Sequence, residues 1–198
     1  MIITAIKQQV KNPDRVSIFV DGKYEFSLNL DELLKEKLSN GAELEKSDVV
    51  RLKKISADGK LRARSLEWLL NRPRPEREFR DYLFKKRAEP EQIESLVDEF
   101  TQKGYLSDAK FASWFAELQG RRNKSDRAIR SELFKKGISR EVVEETLQEG
   151  VNDERTRLKA LISKKQKLNR YQKDPDKLVK YLVGLGFKWE DVKEEFIT

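Results

Sequence analysis

The segment "DYLFKK" at residues 81–86 returns fifty residues later as "SELFKK" at residues 131–136. A more divergent copy, "KYLVGL", occupies residues 180–185. Each copy is followed by a segment whose apolar residues have helical spacing, reading "EPEQIESLVDEF" (89–100), "SREVVEETLQE" (139–149) and "KWEDVKEEF" (188–196). This recurrence indicates that much of the chain is built from copies of one helical unit.

Another helix is expected in front of each copy. Runs with i, i+3, i+4 apolar spacing, typical of a buried helix face, occur three times: Leu66, Leu69 and Leu70; Phe111, Trp114 and Phe115; Leu158, Leu161 and Ile162. We therefore predict a mainly α fold of three tandem three-helix repeats that form an elongated curved array. The units span residues 57–106, 107–150 and 151–198, and each buries its apolar face on its neighbours.

Residues 1–56 have a different pattern and are predicted to form a small antiparallel β-sheet with helices. Apolar residues alternate on both sides of Asp21-Gly22, a pair typical of a type I′ hairpin turn. The run from Ile2 to Val10, closed by "KNPD", adds a third strand, and segments 31–38 and 47–55 supply helices that cover the sheet. Asp58-Gly59 is interpreted as a break in the chain before the repeats.

The "LFKK" copies are assigned a structural role. Leu83 with Phe84, and Leu133 with Phe134, are predicted to supply core. The lysines that follow lie in the last helical turn, where cations offset the helix dipole. Helical spacing also places Trp114 in the core, which leaves Tyr171 as the one aromatic considered for stacking on a base.

Composition limits the function. The 198-residue chain is 39% charged, has a net charge of +7, and contains neither Cys nor His. Disulfides, thiolate metal sites and the commonest general base are thereby excluded. The N-terminal segment lacks the pattern of a signal peptide, and no apolar run could span a bilayer. The sequence has no phosphate-binding glycine motif. We expect a cytoplasmic, monomeric protein that is not an enzyme, binds no cofactor or metal, and has no membrane partner.

The excess positive charge is concentrated at one position of the repeat. The connection between first and second helices reads "NRPRPER" (71–77), "RRNKSDR" (121–127) and "KKQKLNRYQK" (164–173), whereas every third helix is acidic. We predict that stacking the units aligns these cations into a surface, the basic stripe, that contacts a polyanion. Its members are Arg72, Arg74, Arg77, Arg121, Arg122, Lys124, Arg127, Lys164, Lys165, Lys167 and Arg170. The alternative interpretation is that each cluster is only a solvated helix end.

The segment from "SLEWLLNRPRPEREFRDYLFKK" to "GYLSDAKFASWF", with "AIRSELFKKGI", resembles the RecX family of bacterial modulators of the RecA recombinase. The similarity covers residues 57–150 firmly and 151–198 more loosely, and residues before it resemble the N-terminal extension of longer members. The resemblance implies three tandem three-helix repeats. It also implies a protein that binds RecA filaments on single-stranded DNA and suppresses ATP hydrolysis, strand exchange and coprotease activity. Arg87 and Ser125 depart from the glycine common at or near their positions, which affects the expected turn geometry.

Three classes of function remain open from the sequence. The first is a regulator that recognises a recombinase filament on single-stranded DNA, with duplex DNA as a further candidate partner. The second is an autonomous DNA-binding protein of helix-turn-helix type, although the arginines concentrate in loops rather than along one recognition helix. The third is a scaffold that binds only protein and makes no salt-sensitive contact with DNA.

Overall fold

The computed structural model describes residues 1–149 and 154–197. The chain divides into two compact units, Met1–Trp68 and Leu69–Thr198. Between residues 46 and 70 the chain forms one helix that crosses this division.

A three-stranded antiparallel sheet of order β1-β2-β3 opens the first unit, with β1 at Ile3–Gln9, β2 at Asn12–Val20 and β3 at Lys23–Asn29. Asp21 (φ 48°) and Gly22 (φ 79°) both adopt the left-handed conformation that a type I′ turn requires, so the predicted hairpin is confirmed. The turn between β1 and β2 lies at Val10-Lys11, so that the Asn-Pro-Asp of "KNPD" belongs to β2 rather than to the turn. The predicted sheet is otherwise present.

Two helices follow the sheet: α1 at Leu30–Lys35 and α2 at Lys46–Leu70. Val49 and Leu52 of α2 join Ile3, Ile18 and Leu28 of the sheet in one apolar cluster. The predicted break at Asp58-Gly59 is wrong, because α2 continues through both residues. Gly59 instead permits close packing, since a Cβ atom there would lie 2.9 Å from the Cδ of Glu32.

The second unit contains the helices of the repeats. In chain order they are α3 at Glu76–Lys85, α4 at Pro90–Gln102, α5 at Asp108–Arg121, α6 at Asp126–Lys135, α7 at Arg140–Gln148, α8 at Glu154–Gln166, α9 at Asn169–Gln172, α10 at Pro175–Gly184 and α11 at Trp189–Ile197. The mainly α fold class with tandem three-helix groups is confirmed, and α9 is a short addition that the sequence pattern did not predict. The predicted boundary between residues 150 and 151 lies outside the described residues, and the other boundaries stay predictions.

The second helices α3, α6 and α10 bury equivalent apolar pairs: Phe79 and Leu83, Ile129 and Leu133, Leu178 and Leu182. The prediction that Phe84 and Phe134 supply core is wrong, because these side chains are 76% and 42% exposed. Each follows a fully buried leucine, and one step along a helix turns the side chain by about 100° toward solvent. The lysines that follow them do lie at the helix ends, as predicted.

The apolar face of the helix before α3 is displaced by one residue from its predicted position. Leu70 is 65% exposed, whereas Ser65 and Leu69 are buried. Ser65 and Leu69 are therefore the equivalents of Phe111 and Phe115, which are buried in α5. The prediction assigned the face by apolar residue type alone, and the serine at the first position concealed the correct alignment.

Equivalent hydrogen bonds join consecutive repeats at two junctions. The backbone N–H of Glu76, at the start of α3, donates to the carboxylate of Asp108 in the next repeat (2.8 Å). The backbone N–H of Asp126, at the start of α6, donates to Glu154 in the same way (3.0 Å). We call Asp108 and Glu154 the junction carboxylates. The equivalent residue at the start of α10 is Pro175, which has no N–H.

The C-terminal ends of α10 and α6 each contact the start of the second helix in the preceding repeat. Gly186, after α10, has a φ of 100°, and a Cβ there would lie 2.8 Å from the Cβ of Ala128 in α6. Gly137, after α6, is close to Arg77 of α3 in the same manner. Arg87 adopts the same left-handed turn after α3, with a φ of 60°. The departure at Arg87 therefore preserves the turn.

Candidate nucleic-acid interface

Two of the three cations in the first repeat's basic loop have a carboxylate partner. Arg72 and Arg74 each donate to the same oxygen of Glu78, both at 2.6 Å. The Arg74 side chain is only 12% exposed, and the Arg72 guanidinium lies 5.7 Å from the centre of the Trp114 ring. These two members of the basic stripe are partly neutralised and serve to hold the loop in place.

The second and third repeats bring their cations together around two cavities. A cavity of about 600 Å³ is lined in part by Arg121, Asn123 and Arg157, and one of about 250 Å³ is lined by Asn123, Arg157, Lys164, Lys165 and neighbouring apolar atoms. Because Asn123 and Arg157 border both, the structure places Arg121 in the same region as Lys164 and Lys165. The C-terminal ends of α5 and α8, which are distant in sequence, thus contribute cations to one surface, and the larger cavity there is also lined by Glu117, Asp126 and Glu149.

Arg157 is a residue that sequence reasoning missed. It extends from α8 to form an ion pair with Asp126 at the start of α6. Its Nε atom is buried and has no hydrogen-bond partner among the described residues. The basic character of α8 was visible in the sequence, but nothing in the spacing distinguished Arg157 from its solvated neighbours.

The remaining members of the basic stripe differ in whether a carboxylate or an aromatic ring of the protein already contacts them. Lys165 lies 5.2 Å from the centre of the Tyr181 ring, Arg170 lies 4.5 Å from that of Tyr171, and Arg121 pairs with Glu117 at 2.5 Å. Six others make no ion pair within residues 1–149 and 154–197: Arg77, Arg122, Lys124, Arg127, Lys164 and Lys167. A phosphate could approach these six without displacing a carboxylate of residues 1–149 or 154–197.

The aromatic residues are distributed differently from the prediction. Tyr171 is only 7% exposed, so its assignment as a residue that stacks on a base is wrong. Trp114 packs against the apolar cluster of α5, α6 and α7, as predicted. The rings of Phe84 and Phe134 are exposed, which sequence reasoning missed because helical spacing alone did not separate them from their buried neighbours; Tyr24, Tyr105 and Trp189 are exposed as well.

The acidic third helices are partly neutralised. Arg80 of α3 makes a bidentate pair with Glu94 of α4 (2.6 and 3.0 Å), and Arg130 of α6 makes the equivalent pair with Glu144 of α7 (2.9 and 3.1 Å). The hydrogen bonds from these arginines hold the pKa of Glu94 and Glu144 below the ordinary value. The pairs tie second helix to third helix in two repeats, and they offset part of the negative charge of α4 and α7.

Within residues 1–149 and 154–197, no group of three or more acidic side chains could hold a metal ion. Every helix within those ranges is too short or too polar to cross a bilayer.

Two family models match the chain. The RecX N-terminal domain matches residues 1–45, and the second three-helix domain of RecX matches residues 107–147. The latter covers the repeat that contains α5, α6 and α7.

Individual relatives extend the similarity along the chain. The regulatory protein RecX of Listeria monocytogenes serovar 1/2a is 31% identical over 98% of this chain and 74% of its own length. That of Listeria innocua is 32% identical over 77% of this chain, and the match spans 57% of the relative, a little over half its length.

Solved structures agree in fold. A crystal structure of regulatory protein RecX superimposes with a TM-score of 0.71 over 98% of both chains at 23% identity. RecX from Lactobacillus salivarius gives a TM-score of 0.61 over 71% of this chain and 94% of that one, at 20% identity. With the repeat architecture, the sheet and the near full-length similarity to the L. monocytogenes protein taken together, the chain belongs to the RecX family.

Proposed function

We propose that this protein regulates a RecA-type recombinase by binding its filament on single-stranded DNA. Its main effect is to lower the filament's ATP hydrolysis, strand exchange and coprotease activity. The relatives that match are named regulatory proteins, which supports a regulatory role. The observation that carries the DNA-binding part is the convergence of Arg121, Lys164 and Lys165 around Arg157.

The physical basis of the proposal is electrostatic. Cations that lack a protein carboxylate can exchange their counterions for phosphates, and the released ions favour binding. Arginine also pairs with phosphate through two parallel hydrogen bonds. A surface of this kind binds the backbone of DNA without reading its sequence, which suits a regulator that must act wherever a filament forms.

The same proposal includes three expectations about chemistry and location. The protein works by binding rather than by catalysis, and it needs no cofactor or metal. It acts as a monomer in the cytoplasm. The absence of His and Cys from the sequence supports the first expectation, because it removes the side chains most often used for acid–base and nucleophilic catalysis.

The test is a recombinase ATPase assay on single-stranded DNA with this protein added at substoichiometric amounts. Wild type should lower the hydrolysis rate, and the charge reversal R122E/K124E/K164E should restore much of it. A matched control, K11E/K23E/K37E, changes net charge equally at exposed lysines of the first unit and should inhibit like wild type. Circular dichroism checks that all variants are folded.

Each other outcome has a definite meaning. Inhibition that survives the reversal would retain the regulatory function and remove the basic surface from it. No inhibition by wild type at any ratio would contradict the proposal. Tight binding to naked duplex DNA would then favour the autonomous DNA-binding protein, and the absence of salt-sensitive DNA binding would favour the protein-binding scaffold.

A further inference from the structure

The second helices of the repeats carry exposed aromatic rings that the core does not use. Phe84 of α3 is 76% exposed and Phe134 of α6 is 42% exposed, and they occupy the same position of two consecutive repeats. The equivalent residue of α10, Val183, is 40% exposed. Three apolar side chains at one repeat position, all facing solvent, form a recurrent surface rather than scattered exceptions.

Cations accompany both aromatic rings. Arg77 precedes Phe84 by seven residues and Arg127 precedes Phe134 by seven, which places each pair on one helix face about 10 Å apart. Both arginines are exposed and make no ion pair among the described residues. Exposed lysines follow each ring directly, at positions 85 and 135. The second helices α3 and α6 therefore each present the order arginine, aromatic ring, lysine, whereas α10 has Asp176, Val183 and Gly184 at these positions.

The repeats bring these helix faces into succession. The end of α10 meets the start of α6, where the backbone N–H of Ser125 donates to the carbonyl of Leu185 (3.1 Å). The end of α6 likewise lies against Arg77 at the start of α3, since a Cβ on Gly137 would be 3.0 Å from the Cδ of Arg77. At the contact between α6 and α3, Arg77 thus adjoins the helix end that carries Phe134 and Lys135.

The geometry points to a second nucleic-acid contact, the second-helix strip, made of Arg77, Phe84, Lys85, Arg127, Phe134 and Lys135. Its ligand is single-stranded nucleic acid, whose bases stack on Phe84 and Phe134 while its phosphates pair with the cations. A single strand offers unpaired aromatic faces and an anionic backbone at short intervals, which matches a surface that alternates rings and cations. The basic stripe shares only Arg77 and Arg127 with this strip, so base stacking adds a contact that charge alone does not supply. The inference rests on the proposed function only for the choice of a DNA-bound partner.

Direct binding of labelled oligonucleotides, measured by fluorescence anisotropy without recombinase, tests the inference. Oligothymidylate is compared with an abasic strand of the same length, which keeps the phosphates and removes the bases. Wild type should bind oligothymidylate at least about fivefold more tightly, because a base–aromatic stack contributes ~1–3 kcal/mol, or about 5- to 150-fold. F84L/F134L should lose this preference and bind the abasic strand as wild type does.

Two controls separate the components of the strip. R77Q/R127Q should weaken binding to both strands by the same factor, because it removes phosphate contacts only. L34A, which removes an exposed apolar side chain from α1, should behave as wild type on both. Since both phenylalanines are exposed, their substitution should leave the thermal unfolding midpoint near that of wild type, which confirms that a binding defect is not a folding defect.

Equal binding of the two strands by wild type would overturn the inference, whatever the recombinase assay shows. So would a variant F84L/F134L that keeps the preference for oligothymidylate. If that variant binds DNA normally but no longer inhibits recombinase ATPase, the strip contacts protein instead, and the nucleic-acid assignment is wrong while the proposed function stands.

Discussion

At the scale of single residues, a substitution at Gly186 tests how closely the turn after α10 packs against α6 of the preceding repeat. Its φ of 100° disfavours any side chain, and the space for a Cβ is already occupied by Ala128. We expect Gly186→Ala to lower the free energy of unfolding by about 1–3 kcal/mol, measured by urea titration.

Gly184 is the matched control, two residues earlier. It lies in α10, and a Cβ there would meet no atom within 4 Å. Gly184→Ala should be neutral or stabilise the protein by up to about 1 kcal/mol, because alanine restricts the unfolded chain. Equal effects of the two substitutions would contradict the packing of Gly186 against the preceding repeat.

At the scale of secondary-structure elements, the junction carboxylates should give the stability an unusual pH dependence. Burial raises the pKa of Asp108 and of Glu154. A carboxyl group whose pKa is higher in the folded state binds its proton more tightly there, so its ionisation lowers stability as pH rises. For Asp108 this loss begins near the ordinary value of 3.8 and is complete above the raised pKa.

Asp108→Asn removes the titration and keeps an oxygen that can accept from Glu76. The free energy of unfolding of this variant, relative to wild type, should increase as pH rises from the acid range to neutrality. Urea titrations at a series of pH values measure the difference. Asp98→Asn, at an exposed position of α4, should give a curve parallel to wild type. A parallel curve for Asp108→Asn as well would show that the carboxylate is not buried at the junction.

The ion pairs between second and third helices should affect the pH dependence of stability in the opposite direction. The arginine hydrogen bonds lower the pKa of Glu94 and Glu144, so the pairs stabilise the repeats at neutral pH. That contribution is lost as pH falls through the lowered pKa values. Both glutamates are on the surface, and exposed ion pairs contribute little. Their value to the fold lies in fixing the angle between two helices, since the bidentate geometry allows few alternatives.

At the scale of the whole molecule, the salt dependence of DNA binding reports how many cations of the basic stripe reach phosphate. Contact with ~4–6 phosphates predicts a slope of about −3 to −5 in a plot of log affinity against log salt concentration. Arg72 and Arg74 are already held by Glu78, so R72Q/R74Q should leave the slope unchanged. R122Q/K124Q should make it less steep by about 0.7 for each contact removed from a single strand. A flat salt series would remove the basic stripe as a DNA-binding surface.

The repeat architecture was predictable because it depends on periodicity, which local errors do not erase. The hairpin at Asp21-Gly22 and the burial of Leu83 and Leu133 followed from patterns that physical chemistry makes strong. Single side chains were less predictable. Phe84 has the hydrophobicity of a core residue, and only its position one step beyond Leu83 turns it to solvent. Spacing likewise could not show that Arg157 reaches Asp126, because that contact joins different repeats.

Pro175 limits what can be added to the repeats. In the first two repeats an acidic side chain of the following unit caps a free N–H, but the third presents a proline at that position. Any unit placed there, from this chain or from another copy, would bury its carboxylate without that donor, at a cost of about 1–3 kcal/mol. The first two repeats thus offer a backbone N–H to the unit that follows them, whereas the third repeat does not. Open-ended growth into fibres, the usual hazard of head-to-tail contacts, is disfavoured by a single imino acid.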